Sequence, residues 1–139
     1  MTTKIPNPYA DGHIPRSPAA VYLGIDPLEV DETKAVARVV LKDHHKQPRG
    51  AVHGGILLSL ADNTATILAN RVNGVGGSLP GFMVTVDLHA VLLANVNEGE
   101  ILATARVVRR GRRVTVIRTA VTGADGRVLT EVTTTHIPT

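Results

Sequence analysis

"AVHGGILLSLADNTATILAN", residues 51–70, is the stretch whose reading decides the fold. It opens on His53, Gly54 and Gly55, then runs apolar with no proline. From 54 to 70 it has helical length and apolar residues on most sides. That predicts a helix wrapped by other elements, not one lying on a surface. One carboxylate, Asp62, stands in its middle. An ionised carboxylate in apolar surroundings is costly unless something compensates it, so Asp62 demands a reason.

Working outward, residues 17–24 read as a short helix, with Ser17 as N-cap and Pro18 at its first position. Residues 33–41 are β-branched and partly alternating, hence a strand. Residues 42–50 form a polar loop, and 71–81 a glycine-rich connection. Four further strands are predicted at 82–93, 100–110, 113–122 and 127–136. "RRGRR" joins two of them, and "GADGRV" carries an Asp-Gly hairpin signal. The order is a short helix, a strand, the long helix and then an antiparallel meander. One buried helix with a multistranded antiparallel sheet predicts an α+β domain in which the sheet curls around the helix. Residues 1–16 read as an irregular arm and 17–139 as a single domain.

Composition narrows the function. The 139 residues hold three aromatics (Tyr9, Tyr22, Phe82), so the core must be aliphatic. There is no cysteine, which excludes disulfides and thiolate metal sites and fits a reducing compartment. Asp62, Asn63 and Thr64 interrupt the best apolar run before it reaches membrane-spanning length. The N-terminus lacks an apolar signal core, and a cytoplasmic location without membrane association is expected. The net charge is +3, with Arg106, Arg109, Arg110, Arg112, Arg113 and Arg118 clustered. Such a cluster serves nucleic acid, a phosphorylated small molecule or solubility. The absence of nearby aromatics and of any DNA-binding pattern argues against nucleic acid.

"GAVHGGILLSLADNTATILA", with the downstream "GFMVTVDLHAVLLANVNEGEILATARVVRRGRRVTVIRTAVTGADGRVLTEVTTTHI", resembles the hotdog-fold acyl-CoA thioesterases. The similarity lies with the phenylacetate-degradation and hydroxybenzoyl-CoA thioesterase-like branches and spans about residues 20–136. The "HGG" plus "LAD" spacing carries most of it. The resemblance implies a central helix wrapped by a curved antiparallel sheet, dimers or dimers of dimers, and Asp62 as the catalytic carboxylate. It also implies that Gln47 helps hold the thioester or the water, and that the Thr85 hydroxyl orients the water. His53, Gly55 and Asn63 are expected beside the substrate, His53 chiefly as a residue that fixes the loop.

The chemistry supports two of these roles independently. Thioester hydrolysis needs a base or nucleophile and donors for the carbonyl oxygen as it turns negative. Gly54 and Gly55 fall at the expected N-terminus of the long helix. N–H groups there lack intrahelical acceptors, and the helix dipole favours negative charge. Gly54 is therefore a candidate oxyanion donor, although both glycines would also suit a tight loop-to-helix turn. Asp62 is ionised at neutral pH and can act as base or nucleophile. The alternative is an interfacial carboxylate paired with an arginine. Coenzyme A carries phosphates, which would give Arg110, Arg112 and Arg113 a purpose; a solvated basic hairpin is the plain alternative. His44-His45 has no third ligand at a metal-binding spacing. "GVGGSLPG" is followed by no helix signal and is no phosphate loop. Neither Ser59 nor Ser78 lies in a nucleophile elbow. Asp87 and His89 share a strand face and suit an interface or solvent. No metal or redox cofactor is expected.

Spacing adds a geometric constraint. Gly54 and Asp62 are eight residues apart, about 12 Å along one helix. A reacting carbonyl needs its attacking atom within roughly 3–3.5 Å, and an intervening water adds about 3 Å. If both residues are catalytic, they belong to different subunits of one site. The expected activity is hydrolysis of a small or medium acyl- or aryl-CoA. The alternatives are a non-catalytic acyl-CoA sensor, or a hydratase or dehydratase on the same fold.

Overall fold

The computed structural model describes residues 17–75 and 80–139. The arm 1–16 and residues 76–79 of the glycine-rich connection, Ser78 among them, lie outside the described residues. The elements are α1 (Pro18–Leu23), β1 (Asp26–Val30), β2 (Lys34–Val40), one 3₁₀ turn (Asp43–His45), α2 (Gly54–Val72), β3 (Met83–Leu92), β4 (Glu100–Arg110), β5 (Thr115–Gly123) and β6 (Val128–Pro138).

Local chemistry sets the boundaries. At α1 the Ser17 side chain accepts from the Ala20 N–H, Pro18 occupies the first turn, and Gly24 closes the helix at φ 73°. That is the expected asymmetry of capping oxygen and proline before, glycine after. At α2, His53 is the N-cap, and its Nδ1 accepts from the Gly55 N–H at 2.9 Å. The β5–β6 hairpin turns on Gly126 at φ 84°, as the Asp-Gly pair predicts.

The six strands form one antiparallel sheet in the order β1-β2-β4-β5-β6-β3. Helix α2 contacts every one of them. Strands spaced about 4.8 Å apart would make a flat sheet roughly twice as wide as a helix, so the sheet curls around α2. The inner face alternates along each strand: Ala35, Ala37 and Val39; Ile101, Ala103 and Ala105; Thr115, Ile117, Thr119 and Val121 are all buried. Alanines and threonines at these positions let the sheet close on the helix. Leu57, Leu60 and Leu68 of α2 fill the space between, each worth about 1.5–3 kcal/mol by burial. No phenylalanine, tyrosine or tryptophan is buried among the described residues.

Two expectations need correction. The strands after α2 are not one meander: β4, β5 and β6 are, but β3 lies beside β6 at the sheet edge. Residues 93–96 account for this. Leu93 and Ala94 donate to the Leu129 carbonyl, and Val96 accepts from the Val52 N–H. The chain therefore crosses the end of the helix instead of turning back beside β3. Strand β1 was also not foreseen. Its "DPLEV" contains a proline and a register shift between Pro27 and Glu29, which an edge strand tolerates and an alternation pattern does not reveal.

Candidate active site

Asp62 lies in the middle of α2, half-buried, and its environment answers why a carboxylate can stand there. The Thr85 hydroxyl, on β3, donates to Asp62 Oδ1 at 2.7 Å. Among the described residues no lysine or arginine pairs with Asp62. The compensation is a short hydrogen bond plus an opening. Asp62 lines a cavity of about 320 Å³ between α1 and α2, with Leu23, Ile25 and Phe82 on its apolar side. Asn63 lines the same cavity, and its Nδ2 is buried without a partner.

Thr85 is aimed by the sheet. It faces His136 of β6 across the ladder, immediately before a register shift between Thr85 and Asp87. Such a bulge re-aims side chains at a sheet edge. Asp87 then pairs with Thr135 and His89 with Thr133, and both are exposed. Thr66, one turn beyond Asp62 on α2, places its hydroxyl 3.4 Å from that of Thr85 and also lines the cavity.

A second group gathers at the α2 N-terminus. Gly54 opens the helix, so its N–H has no intrahelical acceptor. A Cβ at Gly54 would touch Leu92 Cδ1 at 3.4 Å, whereas one at Gly55 would meet His53 Nδ1 at 3.0 Å. Gly55 is thus required by the His53 cap, which consumes its N–H. His53 is exposed and engaged as that cap. Gln47 sits in the preceding turn, where its Oε1 accepts from the Arg49 N–H. Its backbone closes the turn with Ala51 and Gly50. Helix α2 is continuous from Gly54 to Val72, so Gly54 and Asp62 stand about 12 Å apart.

The arginines form a third group at the opposite end of α2. Arg110 Nε donates to Asn73 Oδ1 at 3.3 Å. Arg112 and Arg113, both exposed, line a shallow cavity with Asn73 and Gly74. Asn73 follows Asp62 by about 16 Å of helix rise. The structure thus brings together Asp62, Asn63 and Thr85, and separately Gln47, His53, Gly54 and Gly55. It does not bring the two sets together within one chain.

Two residues at the Asp62 site carry no expectation from sequence. Thr66 was legible as the i+4 neighbour of Asp62 on one helix face. His136 lies behind Thr85 with no exposed surface; Nδ1 is 3.4 Å from Thr85 Oγ1 and Nε2 is 2.8 Å from Thr134 Oγ1. Burial holds its pKa below the ordinary imidazole value, opposed by the negative charge of Asp62. Alternation along β6 from Val132 would have turned it inward. His45, by contrast, is a structural pin. Its Nδ1 accepts from the Lys42 N–H at 3.0 Å, and its Nε2 meets the Leu23 carbonyl at 2.7 Å. Burial again lowers its pKa.

A helix enclosed by a curled antiparallel sheet, with a glycine at its N-terminus and a carboxylate at its centre, defines the hotdog class of fold. Residues 49–130 match the thioesterase superfamily, and the chain belongs to that family. It is a thioester hydrolase. The 1,4-dihydroxy-2-naphthoyl-CoA hydrolase of Listeria monocytogenes is 28% identical over 107 residues, covering 77% of this chain and 84% of that protein. A conserved protein of Pseudomonas aeruginosa superposes with a TM-score of 0.81 at 26% identity, covering 89% of this chain and 95% of that one. The PaaI protein of the Escherichia coli phenylacetic acid degradation operon shares the fold, with a TM-score of 0.80 at 22% identity, covering 89% and 86%. No helix among the described residues is long and apolar enough to cross a membrane.

Proposed function

We propose that this thioesterase hydrolyses small or medium acyl- or aryl-CoA thioesters, at a site shared between two copies of the chain. The observation that carries the reading is the exposure of Asp62 to a cavity while its Oδ1 is held by Thr85 at 2.7 Å. The remaining carboxylate oxygen takes a proton from a water, which attacks the thioester carbonyl; collapse of the tetrahedral adduct breaks the C–S bond, and the departing CoA thiolate takes up the proton held by Asp62. The Gly54 N–H of the neighbouring subunit receives the developing oxyanion, aided by the α2 dipole. Direct attack by Asp62 is the variant mechanism, with the same donors. Gln47 Nε2, which has no partner among the described residues, assists from the Gly54 side. Arg110, Arg112 and Arg113 bind the CoA phosphates. The chemistry requires neither metal nor redox cofactor.

Several features support this reading. The cavity falls within the size range of small-ligand sites, and the Listeria relative is named as a hydrolase of an aryl-CoA. The edge strand β3 exposes Val86, Leu88, Val91 and Leu92, a surface suited to a second copy, and a dimer of dimers extends the same logic. The reaction and a chain without cysteine suit the cytoplasm. A dehydratase would need a histidine able to reach the acyl chain. His136 is fully buried behind Thr85 and does not line the cavity, and His53, exposed beside Gly54, spends its Nδ1 as the cap of the Gly55 N–H.

The test is thiol release over a panel of alkyl- and aryl-CoA substrates, with Asp62→Asn as the control. Wild type should turn over at least one of them, and the variant should fold, bind and lose at least ~10²-fold in kcat. Tight binding without thiol release in the wild type would instead indicate a sensor. Near-normal kcat in the variant would remove Asp62 from the chemistry.

A further inference from the structure

The Thr85 hydroxyl has one proton and lies among three groups that could claim it. Asp62 Oδ1 is at 2.7 Å; Thr66 Oγ1 and His136 Nδ1 are both at 3.4 Å. A charged acceptor at the shortest distance takes the proton. Thr85 is then an acceptor toward its other neighbours. A bare lone pair on His136 Nδ1 would face the lone pairs of Thr85 Oγ1, which favours the ring proton on Nδ1. Nε2 is then the acceptor, matched to the Thr134 hydroxyl at 2.8 Å. The tautomer that satisfies all these contacts gives the network one direction: His136 Nδ1–H toward Thr85 Oγ1, and Thr85 O–H toward Asp62 Oδ1.

We infer that His136 is a positioning residue for hydrolysis, holding the Thr85 hydroxyl as a donor to Asp62 and so leaving the other carboxylate oxygen to the water. The inference rests on the proposed role of Asp62 as the base. The ring can do this because it cannot move. It has no exposed surface, and β3 and β5 flank it through Thr85 and Thr115, its partners in the two ladders. The charged and titratable surroundings are sparse. From α2 only Asp62 faces it; Thr66 and Asn70 are neutral. From β3, Asp87 pairs with Thr135, whose side chain alternates to the opposite face of the sheet. On β5 the nearest charge is Arg118, exposed and opposite Thr133. Burial opposes protonation of the ring, which favours a neutral imidazole as the donor to Thr85.

Hydroxyl donation favours the charged carboxylate. Loosening Thr85 should therefore carry the acidic limb of activity to higher pH. His136→Leu removes the Nδ1 donor. In His136→Asn the side-chain amide nitrogen can stand where Nδ1 stood. In His136→Leu, kcat should fall ~10-fold or more with KM within about twofold. The acidic limb of its kcat/KM profile should move up by roughly half a pH unit or more. His136→Asn should recover most of the rate and the position of that limb. Equal losses in both variants with an unmoved acidic limb would reduce His136 to packing and overturn the inference. Should His136→Leu fail to fold, nitrogen-15 NMR of the wild-type histidine decides: an Nδ1–H tautomer supports the assignment, and an Nε2–H tautomer overturns it. Active Asp62→Asn would bring down the parent reading. Inactive Asp62→Asn beside a His136→Leu with wild-type kinetics would bring down this inference alone.

Discussion

Mixing two dead variants is the sharpest way to ask whether the site spans two subunits. The carboxylate-side variant is Asp62→Asn, which keeps the shape at the cavity and removes the base. The donor-side variant is Gly54→Pro, and the structure indicates that the fold will accept it. Gly54 is the first residue of α2, where proline is favoured because its N–H has no helical acceptor. His53 before it has φ −66° and ψ 131°, the extended region a following proline demands. The closest contact to a new Cβ is Leu92 Cδ1 at 3.4 Å, the end of a flexible side chain. What proline deletes is the donor, and an oxyanion donor is worth about 10²–10³ in kcat. Each parent homodimer should therefore be almost silent. In a mixed dimer one site inherits both defects and the other neither, since a two-fold exchanges equivalent groups. Random exchange at 1:1 gives mixed dimers as about half the population, each with one intact site, so thiol release should return to ~25% of wild type per site. The separation of about 12 Å along α2 demands this outcome, because no thioester reaches both groups of one chain. If native mass spectrometry shows exchange and the rate stays at the sum of the parents, the shared site is refuted.

Two further outcomes are expected. If Arg110, Arg112 and Arg113 hold the CoA phosphates, their joint change to Ala should raise KM more than it lowers kcat. The penalty should shrink as salt screens the wild-type contact; unchanged kinetics would leave the arginines as a solvated hairpin. Stability should fall as pH drops from 7 to 5. His45 and His136 have pKa values lowered by burial in the folded state, whereas the unfolded chain protonates them near pH 6.5. Their contribution is complete above that value and is lost below it at up to about 1.4 kcal/mol per pH unit for each histidine. A melting temperature flat across that window would contradict it.

The helix and its burial were legible because "GGILLSLADNTATILAN" encodes both in one pattern, and Gly54 and Asp62 stand where that pattern puts them. The place of β3 was not legible. Strand order depends on where residues 93–96 travel, and their bonds to Leu129 and Val52 join positions far apart in the chain. For the same reason Thr85 could be placed at the site by resemblance, as the hydroxyl that orients the water, whereas its bond to Asp62 was not legible from spacing. His136 needed the β3–β6 register, since it is 51 residues from Thr85. Alternation in "VTTTHI" turns it inward but names no neighbour. The loop residue Gln47 was read by resemblance, and His53 and Gly55 prove to serve one another, as cap and capped N–H.

A core built from aliphatic and threonine side chains leaves the protein almost transparent in the near ultraviolet. The chain has no tryptophan, two tyrosines and one phenylalanine. Tyr22 is 81% exposed, while Phe82, a weak absorber, lines the cavity beside Asp62. An aromatic acyl group entering that cavity would bring its own chromophore into a chiral pocket, and at wavelengths beyond the adenine band of CoA the protein adds little background. Near-ultraviolet circular dichroism would then report on the ligand itself. Binding of an aryl-CoA to the Asp62→Asn protein could be followed directly, without labelling either partner.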